Sequence, residues 1–332
     1  MKDASLARAT LLNSVMGGLG TLPPECVTVT RVIAVAVTYQ PDLVLFQRAV
    51  RACRHQVTKF FVIDNGSTGQ CLNALAKLCE DEACSLAPLG HNYGIAAAQN
   101  HGILLARRAG ASHVLLLDQD SVAAPDMVAR LLDVLNAALR AGRRVAAVGP
   151  RLVDRRSGKG TPFIRIGLFG VSRLVCSEKT DNAFESDFLV ASGSIIPLNA
   201  FDEIGMMEEG LFIDNVDLEW CFRSRHHGFV LLGACKAVLE HSVGEQVFHV
   251  AGRALYRHSP VRQYYIMRNR ILLYRRPYSP RAWIVQDFLR MLVKVVLFGV
   301  VYSPRVKNLR MMWRGMLDGL HGRQGPFSEW PL

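Results

Sequence analysis

The stretch that decides the fold is Leu115-Leu116-Leu117-Asp118-Gln119-Asp120-Ser121, in which an apolar run ends in two carboxylates separated by one residue. An apolar run of this kind is typical of a buried strand in a parallel sheet. Open α/β sheets bind ligands at the carboxyl ends of their strands, where Asp118 and Asp120 could both reach one divalent cation. Because Asp-x-Asp is common by chance and often caps a helix, the pair alone leaves both interpretations open.

Strands and helices alternate on both sides of this stretch. Apolar runs predict strands at Val32–Thr38, Lys59–Asp64, Cys84–Leu86, Ser112–Leu117 and Val145–Val148. Helical patterns fall at Leu43–Gln56, Cys71–Cys79, Ile95–Arg107 and Val216–His227, the last ending at Gly228. Residues 151–187 are predicted to be irregular, with short strands. The alternation predicts an α/β, Rossmann-like, doubly wound sheet that binds a nucleotide.

The charge is unevenly distributed along the chain. The net charge of the 332 residues is +11, yet residues 251–332 carry 15 Arg and Lys against three acidic residues, whereas the first 250 residues have a net charge of −1. We therefore divide the chain into a flexible tail (1–28), an α/β domain (29–250) and a basic helical module (251–332). A basic module predicts an anionic partner, and the lack of interleaved stacking aromatics argues against nucleic acid.

An apolar segment within the basic module, residues 283–302, favours a membrane partner. Its only charged residues are Asp287, Arg290 and Lys294, which share one face of a helix. This pattern resembles an amphipathic helix at a membrane interface, and three charges argue against a transmembrane span. A helix packed onto the main domain is the alternative.

The cysteines indicate a reducing compartment. Eight cysteines show neither a Cys-x-x-Cys pair nor the Cys/His spacing of a metal site, and residues 1–30 lack the pattern of a secretory signal. We therefore expect free thiols and a cytoplasmic protein, which segment 283–302 would hold as a peripheral protein at the inner face of the membrane.

Polar residues follow several of the predicted strands. Asp64 could accept a hydrogen bond from the imide of a uracil or thymine ring, or it could form the turn of Asp-Asn-Gly-Ser. Asn92 and Gly94 precede a helix whose N-terminal N–H groups favour a diphosphate. Asn100, on the same helix, is either a ligand contact or an ordinary surface residue.

Asp217 and His241 are the remaining candidates from the residues alone. Asp217 lies in the first turn of a helix, where capping could explain it, but its apolar neighbours predict the raised pKa that a general base needs. His241 follows a short apolar strand and is either a metal or phosphate contact or a satisfied histidine at the end of a strand.

Taken together, these segments resemble the family 2 glycosyltransferases of the GT-A fold and, within them, the bacterial rhamnosyltransferases, including those of rhamnolipid and O-antigen synthesis. The matching segments are Val35–Asp42, Val62–Ser67, Asn92–Asn100, Leu117–Ser121, Leu211–Asp217, Glu240–Gly244 and His258–Asn269. The family's common Glu-Asp pattern becomes Val216-Asp217 here, as it does in the rhamnosyl branch.

The resemblance implies a role for each candidate. The nucleotide and its diphosphate would be bound by Thr38, Tyr39, Asp64, Asn65, Asn92, Gly94, Asn100, Asp118, Arg262 and Arg268. Mg²⁺ or Mn²⁺ would be held by Asp118, Asp120 and His241. Asp217 would be the catalytic base.

The implied reaction is inverting transfer of L-rhamnose from dTDP-L-rhamnose to a hydroxyl of a rhamnolipid or polyprenyl-linked glycan. The alternatives are a family 2 transferase that uses a UDP- or GDP-sugar for surface polysaccharide and, from another class, a non-catalytic protein that binds nucleotide sugars.

Overall fold

The computed structural model describes residues 30–155, 157–177, 183–241, 247–250, 253–256, 259–301 and 303–328. Residues 31–332 form one compact unit. The predicted tail and Cys26 lie outside the described residues, and so do residues 242–244 and residue 258 of the two C-terminal motifs.

A mixed sheet forms the centre of the molecule. Within the described residues it has nine strands in the order β3-β2-β1-β4-β10-β6-β11-β5, and β9 also pairs with β11. Its strands are β1 (Val32–Thr38), β2 (Lys59–Asp64), β3 (Ser85–Pro88), β4 (His113–Asp118), β5 (Ser121–Ala123), β6 (Val145–Asp154), β9 (Ala183–Ser186), β10 (Ile195–Pro197) and β11 (Val230–His241). Strands β1 to β4 pair in parallel, so their carboxyl ends, at Thr38, Asp64 and Asp118, share one edge of the sheet.

Two hairpins lie outside this sheet. They are β7 (Phe163–Ile166) with β8 (Val171–Leu174), and β12 (Val247–Val250) with β13 (Arg253–Tyr256). The predicted boundary at residue 250 falls in the second hairpin.

Helices cover both faces of the sheet. They are α1 (Leu43–Arg54), α2 (Gly69–Asp81), α3 (Ile95–Arg108), α4 (Met127–Arg140), α5 (Ala200–Ile204), α6 (Val216–His226), α7 (Pro260–Tyr274), α8 (Arg281–Val296) and α9 (Arg305–Leu320). Apolar side chains of α1, α2 and α4 form the core on one face, and those of α3, α6 and α7 contribute to the core on the other. Burial on both faces explains why β1 is apolar at nearly every position.

The predicted α/β fold class is confirmed. Strands β1 and β2 have the predicted bounds, and α3 extends one residue beyond its predicted end. The prediction is incomplete for residues 151–187, where β6 continues to Asp154 and is followed by the β7–β8 hairpin. The helix predicted over 283–302 ends at Val296 and is followed by a π turn at Leu297–Val301.

The prediction that every cysteine is a free thiol is wrong. Cys176 and Cys235 form a disulfide across 59 residues of sequence. The other described cysteines, Cys53, Cys71, Cys79, Cys84 and Cys221, are free. No short Cys-x-x-Cys pattern marks this pair, because the segment after β8 is brought to β11 only by the tertiary fold.

Candidate active site

Two carboxylates and an imidazole meet where β4, β5 and β11 come together. Asp118 ends β4, His241 ends β11, and His241 is the register partner of Ser121 at the start of β5. One ligand atom from each of Asp118, Asp120 and His241 lies within 4.8 Å of the others. The structure therefore brings together the three residues predicted to hold a metal.

A chain of hydroxyl groups supports this cluster. The Ser121 hydroxyl lies 3.1 Å from Nδ1 of His241 and 2.9 Å from the Ser192 hydroxyl. The Ser192 hydroxyl also accepts a hydrogen bond from the Asp118 backbone N–H at 3.0 Å. Because both serines are buried, these bonds fix the cluster from the protein side.

The chemistry of the cluster fits a hard divalent cation. Burial raises the pKa of Asp118 to about 6, His241 and Arg262 oppose the shift, and Asp120 adds to it. Burial also raises the pKa of Asp120. Because both pKa values are raised, a positive ion bound between Asp118 and Asp120 would stabilise the ionised form of both carboxylates. The two carboxylates supply oxygen ligands of the kind that Mg²⁺ and Mn²⁺ take.

Asp217 lines the same cleft as Asp118 and Arg262. The cleft has a volume of about 300 Å³. Burial raises the pKa of Asp217 to about 7, although the Leu218 backbone N–H, which donates to Oδ1 at 2.9 Å, opposes the shift. The nearby charges of Asp118 and Asp214 raise it further. This is the environment predicted for a general base.

The loop before Asp217 is bent sharply and firmly held. Phe212, Asp214 and Asn215 all have positive φ angles, between 62° and 64°. The Asn269 Nδ2 group lies within hydrogen-bond distance of three carbonyl oxygens of residues 211–214. Such backbone conformations are costly for residues other than glycine, so this loop needs the contacts from α7.

Arg262 lines the cleft, and its contact with a diphosphate stays a prediction. Its guanidinium pairs with both carboxylate oxygens of Asp214, with a shortest distance of 3.1 Å, and so joins α7 to the loop before Asp217. Arg262 thus brings positive charge to a cleft whose other charged lining groups are carboxylates.

Arg268 does not face the cleft, and its prediction as a ligand residue is corrected. The side chain is completely buried and donates to the carbonyl oxygens of Gly210, Leu211 and Gly325. It also lies over the rings of Tyr264 and Tyr265. A guanidinium with its donors occupied by backbone oxygens acts as a structural clamp.

Asn100 is also structural, because its amide bonds to both the backbone N–H and the carbonyl of Met207 and to Glu209. It is neither the ligand contact nor the surface residue that the sequence suggested. Gly94 has a packing role, since a Cβ there would lie 2.5 Å from the Phe212 carbonyl oxygen. The same oxygen accepts a hydrogen bond from the Ile95 N–H. One of the N-terminal N–H groups of α3 that were expected to face a diphosphate is therefore already paired.

The residues predicted to bind the nucleotide lie at the edge formed by β1 and β2. Asp64 is completely buried and accepts from the Thr38 hydroxyl and from the backbone N–H groups of Gly66 and Ser67. These contacts agree with the interpretation of Asp64 as a turn residue. Its hydrogen bond to a uracil or thymine ring stays a prediction. Tyr39 is half-exposed beside this turn.

Asn65 and Asn92 connect the turn to the loop before α3. Asn65 Nδ2 donates to Asn92 Oδ1, and Asn65 Oδ1 accepts from the Tyr93 backbone. Both asparagines therefore shape this edge of the cleft, and any contact of theirs with a ligand stays a prediction.

Two residues of the cleft were missed as candidates. Gln99 Oε1 and Asn215 Nδ2 are buried polar atoms without a hydrogen-bond partner among the described residues, and both side chains line the cleft. Buried polar atoms are normally paired, so these two are expected to contact a ligand. Both residues lie within segments that resemble the family, Asn92–Asn100 and Leu211–Asp217, and this resemblance is the signal that could have identified them.

The comparisons with known proteins agree with this geometry. The family described as "Glycosyl transferase family 2" matches residues 35–179. The chain is a glycosyltransferase that is similar to family 2 over these residues, and its fold is similar to that of solved glycosyltransferases.

Two curated relatives extend the comparison. The "dTDP-rhamnosyl transferase RfbF" of Shigella flexneri is 29% identical over 296 residues, which cover 89% of this chain and 97% of that protein. The "Low-salt glycan biosynthesis hexosyltransferase Agl10" of Haloferax volcanii is 24% identical over 55% of this chain and 58% of that protein.

Among solved structures, GalNAc-T7 with UDP, GalNAc and Mn2+ has a TM-score of 0.55 at 14% identity, over 88% of this chain and 56% of that one. S. aureus TarS (1-349) in complex with UDP-GlcNAc has a TM-score of 0.51 at 13% identity, over 89% of this chain and 93% of that one. At these identities the likeness concerns the fold alone.

Proposed function

We propose that this enzyme transfers L-rhamnose from dTDP-L-rhamnose, with inversion, to a hydroxyl of a lipid-borne acceptor. The observation that carries the reaction type is the carboxylate of Asp217, whose pKa is raised towards the value that suits a general base, in the same cleft as a cluster suited to a divalent cation. The donor is supported by the relative named a dTDP-rhamnosyl transferase, which aligns along nearly its whole length.

In this proposal Asp217 accepts the proton of the acceptor hydroxyl as the oxygen attacks the anomeric carbon. A base with a pKa near 7 is half ionised at neutral pH and binds the transferred proton well. Direct displacement needs no covalent intermediate, so one carboxylate suffices, and a β-linked donor gives an α-L-rhamnoside.

The leaving dTDP carries the negative charge that develops in the reaction. Asp118, Asp120 and His241 would hold Mg²⁺ or Mn²⁺, which neutralises a diphosphate when bound. Arg262 lines the same cleft and adds positive charge there. Gln99 and Asn215 supply an acceptor and a donor for sugar hydroxyls.

We further propose that α8 contacts the inner membrane. The helix packs on the domain through Trp283, Asp287 and Met291, and Asp287 pairs with Tyr274 and Arg270. The apolar side chains Val285, Phe288, Leu289, Leu292, Val293 and Val296 remain exposed. The helix therefore packs on the domain and also leaves an apolar face outward. No helix in the described part of the chain is long and apolar enough to span a bilayer.

The test is release of dTDP from dTDP-L-rhamnose in the presence of Mg²⁺, with mono-rhamnolipid or an undecaprenyl-linked sugar as acceptor. Release that depends on one of these acceptors identifies it. Asp217→Asn should abolish release while donor binding persists, and Asp133→Asn, exposed on α4, is the matched control. Inhibition by UDP or GDP instead of dTDP, or no release with either acceptor, would contradict the donor assignment.

A further inference from the structure

The β7–β8 hairpin carries two large apolar side chains at its tip. Leu168 is 80% exposed and Phe169 is 101% exposed. They lie between Gly167 and Gly170, which close the turn through a backbone hydrogen bond of 2.8 Å. Two adjacent apolar side chains that project from a turn cannot shield each other from water, so they favour an apolar partner.

The stem of this hairpin is fixed to the sheet at both strands. The Phe163 ring, at the start of β7, lies so close to Gly233 of β11 that a Cβ there would be 2.5 Å from it. Two residues after β8, Cys176 is bonded to Cys235 of the same β11 strand. The tip is therefore held outward by an anchored stem, and little further ordering is needed for it to bind a partner.

The tip lies beside the exposed face of α8. Gln286 Nε2 donates to the Gly167 carbonyl oxygen at 2.8 Å. Leu289 and Val293 follow Gln286 at i+3 and i+7, so they continue the same face of the helix. These two side chains are 59% and 58% exposed. The hairpin tip and the outer face of α8 thus form one apolar surface, which we call the tip surface (Leu168, Phe169, Leu289 and Val293).

The charges around the tip surface are positive. Arg173 on the hairpin and Arg281 and Arg290 on α8 are exposed. The hairpin from Phe163 to Ser177 contains no acidic residue, and the single acidic residue of α8, Asp287, is buried. Apolar side chains with a cationic rim match a bilayer that contains anionic lipid.

We propose that the tip surface binds an anionic lipid bilayer, with Leu168 and Phe169 entering the acyl boundary as a second contact beside α8. This inference rests on the membrane contact proposed above and assigns the hairpin to it. The base of the hairpin, at Phe163 and Ile164, lines an apolar cavity of about 160 Å³ that shares Val190 and Ser192 with the catalytic cleft. The hairpin widens the membrane-facing surface beside α8, which resists rotation of the domain about the axis of that helix and so fixes the orientation of the cleft to the bilayer.

The test is co-sedimentation of the full chain with vesicles of phosphatidylcholine containing about one third phosphatidylglycerol. Leu168→Ser with Phe169→Ser should weaken binding by at least about tenfold, since each side chain loses an apolar contact. The matched control is Val44→Ser with Leu139→Ser, which removes two exposed apolar side chains from α1 and α4. Binding of the hairpin variant equal to that of the control overturns the proposal.

A second variant and a second measurement separate the remaining outcomes. Leu289→Ser with Val293→Ser should weaken binding to a similar degree. If only this variant does so, α8 is the membrane contact and the hairpin inference fails alone. If the wild type does not bind these vesicles at all, the contact proposed for α8 fails as well. A dimer that the hairpin variant converts to a monomer in solution would assign the surface to a second copy of the chain.

Discussion

Replacing Asp217 with asparagine should remove activity and, at the same time, stabilise the protein in alkaline buffer. Loss of a general base lowers the rate roughly 10²–10⁴-fold. The stability effect arises because burial raises the pKa of Asp217 from 3.8 to about 7, so ionising this group is harder in the folded state than in the unfolded chain. Asparagine has no proton to lose and avoids that penalty.

The sign and size of the pH dependence follow from the two pKa values. Below the unfolded pKa the carboxyl is neutral in both states and carries no penalty. The penalty grows as the pH rises from 3.8 towards 7 and is complete above the folded value. Proton linkage makes the penalty larger at about pH 8 than at about pH 5 by roughly 2–3 kcal/mol. For a domain of this size, that difference shifts the melting temperature by about 3–5 °C.

The assay is thermal unfolding of wild type and Asp217→Asn at both pH values, without divalent cations or donor. The variant should gain more stability over wild type at the higher pH. Asp133→Asn, exposed on α4, should show no such difference between the two pH values. An equal gain at both pH values, or a loss at the higher one, would show that Asp217 is not desolvated as described, and the argument for it as the base would lose its support.

Four further outcomes are expected. In the wild type, kcat/KM should rise as the pH increases through about 7, because Asp217 must be ionised to act as a base; a profile that falls across this range would exclude that role. Asp120→Asn should raise the Mn²⁺ concentration needed for half-maximal dTDP release by roughly tenfold or more; an unchanged requirement would remove Asp120 from the metal site. Arg262→Ala should lower kcat by roughly tenfold or more, because it leaves Asp214 unpaired beside the other carboxylates; wild-type turnover would contradict this. Gly94→Ala should unfold at a lower temperature than Gly90→Ala, since both glycines have positive φ but only the first lacks room for a Cβ; equal losses would mean that backbone conformation alone is responsible.

The sequence predicted the strands and the site residues that a short local pattern marks. The apolar runs located β1 and β2, and the motif at the end of β4 located two carboxylates at the ligand-binding edge. His241 joins them because β11 ends beside β5, whereas the residues alone left it open whether His241 contacts a metal or phosphate or is a satisfied histidine at the end of a strand.

Long-range packing explains what the sequence could not reveal. Arg268 carries the charge of a ligand residue, but its partners Gly210 and Gly325 lie 58 and 57 residues away in the sequence. Asn100 is similarly occupied by Met207, 107 residues further along the chain. A polar side chain near a motif has the same appearance in sequence whether it binds a ligand or a backbone. Only the tertiary fold distinguishes the two.

The hydrogen bonds from α7 to the loop before Asp217 limit which segments of this enzyme can be exchanged with those of its relatives. Asn269 and Arg268 donate hydrogen bonds to carbonyl oxygens of that loop, and the Tyr264 hydroxyl donates to Asp318 of α9. A crossover near residue 250 would pair a foreign loop with this α7 and leave its strained backbone unsupported. Functional hybrids with altered acceptor choice therefore need to inherit residues 210–217 and the three C-terminal helices from the same parent.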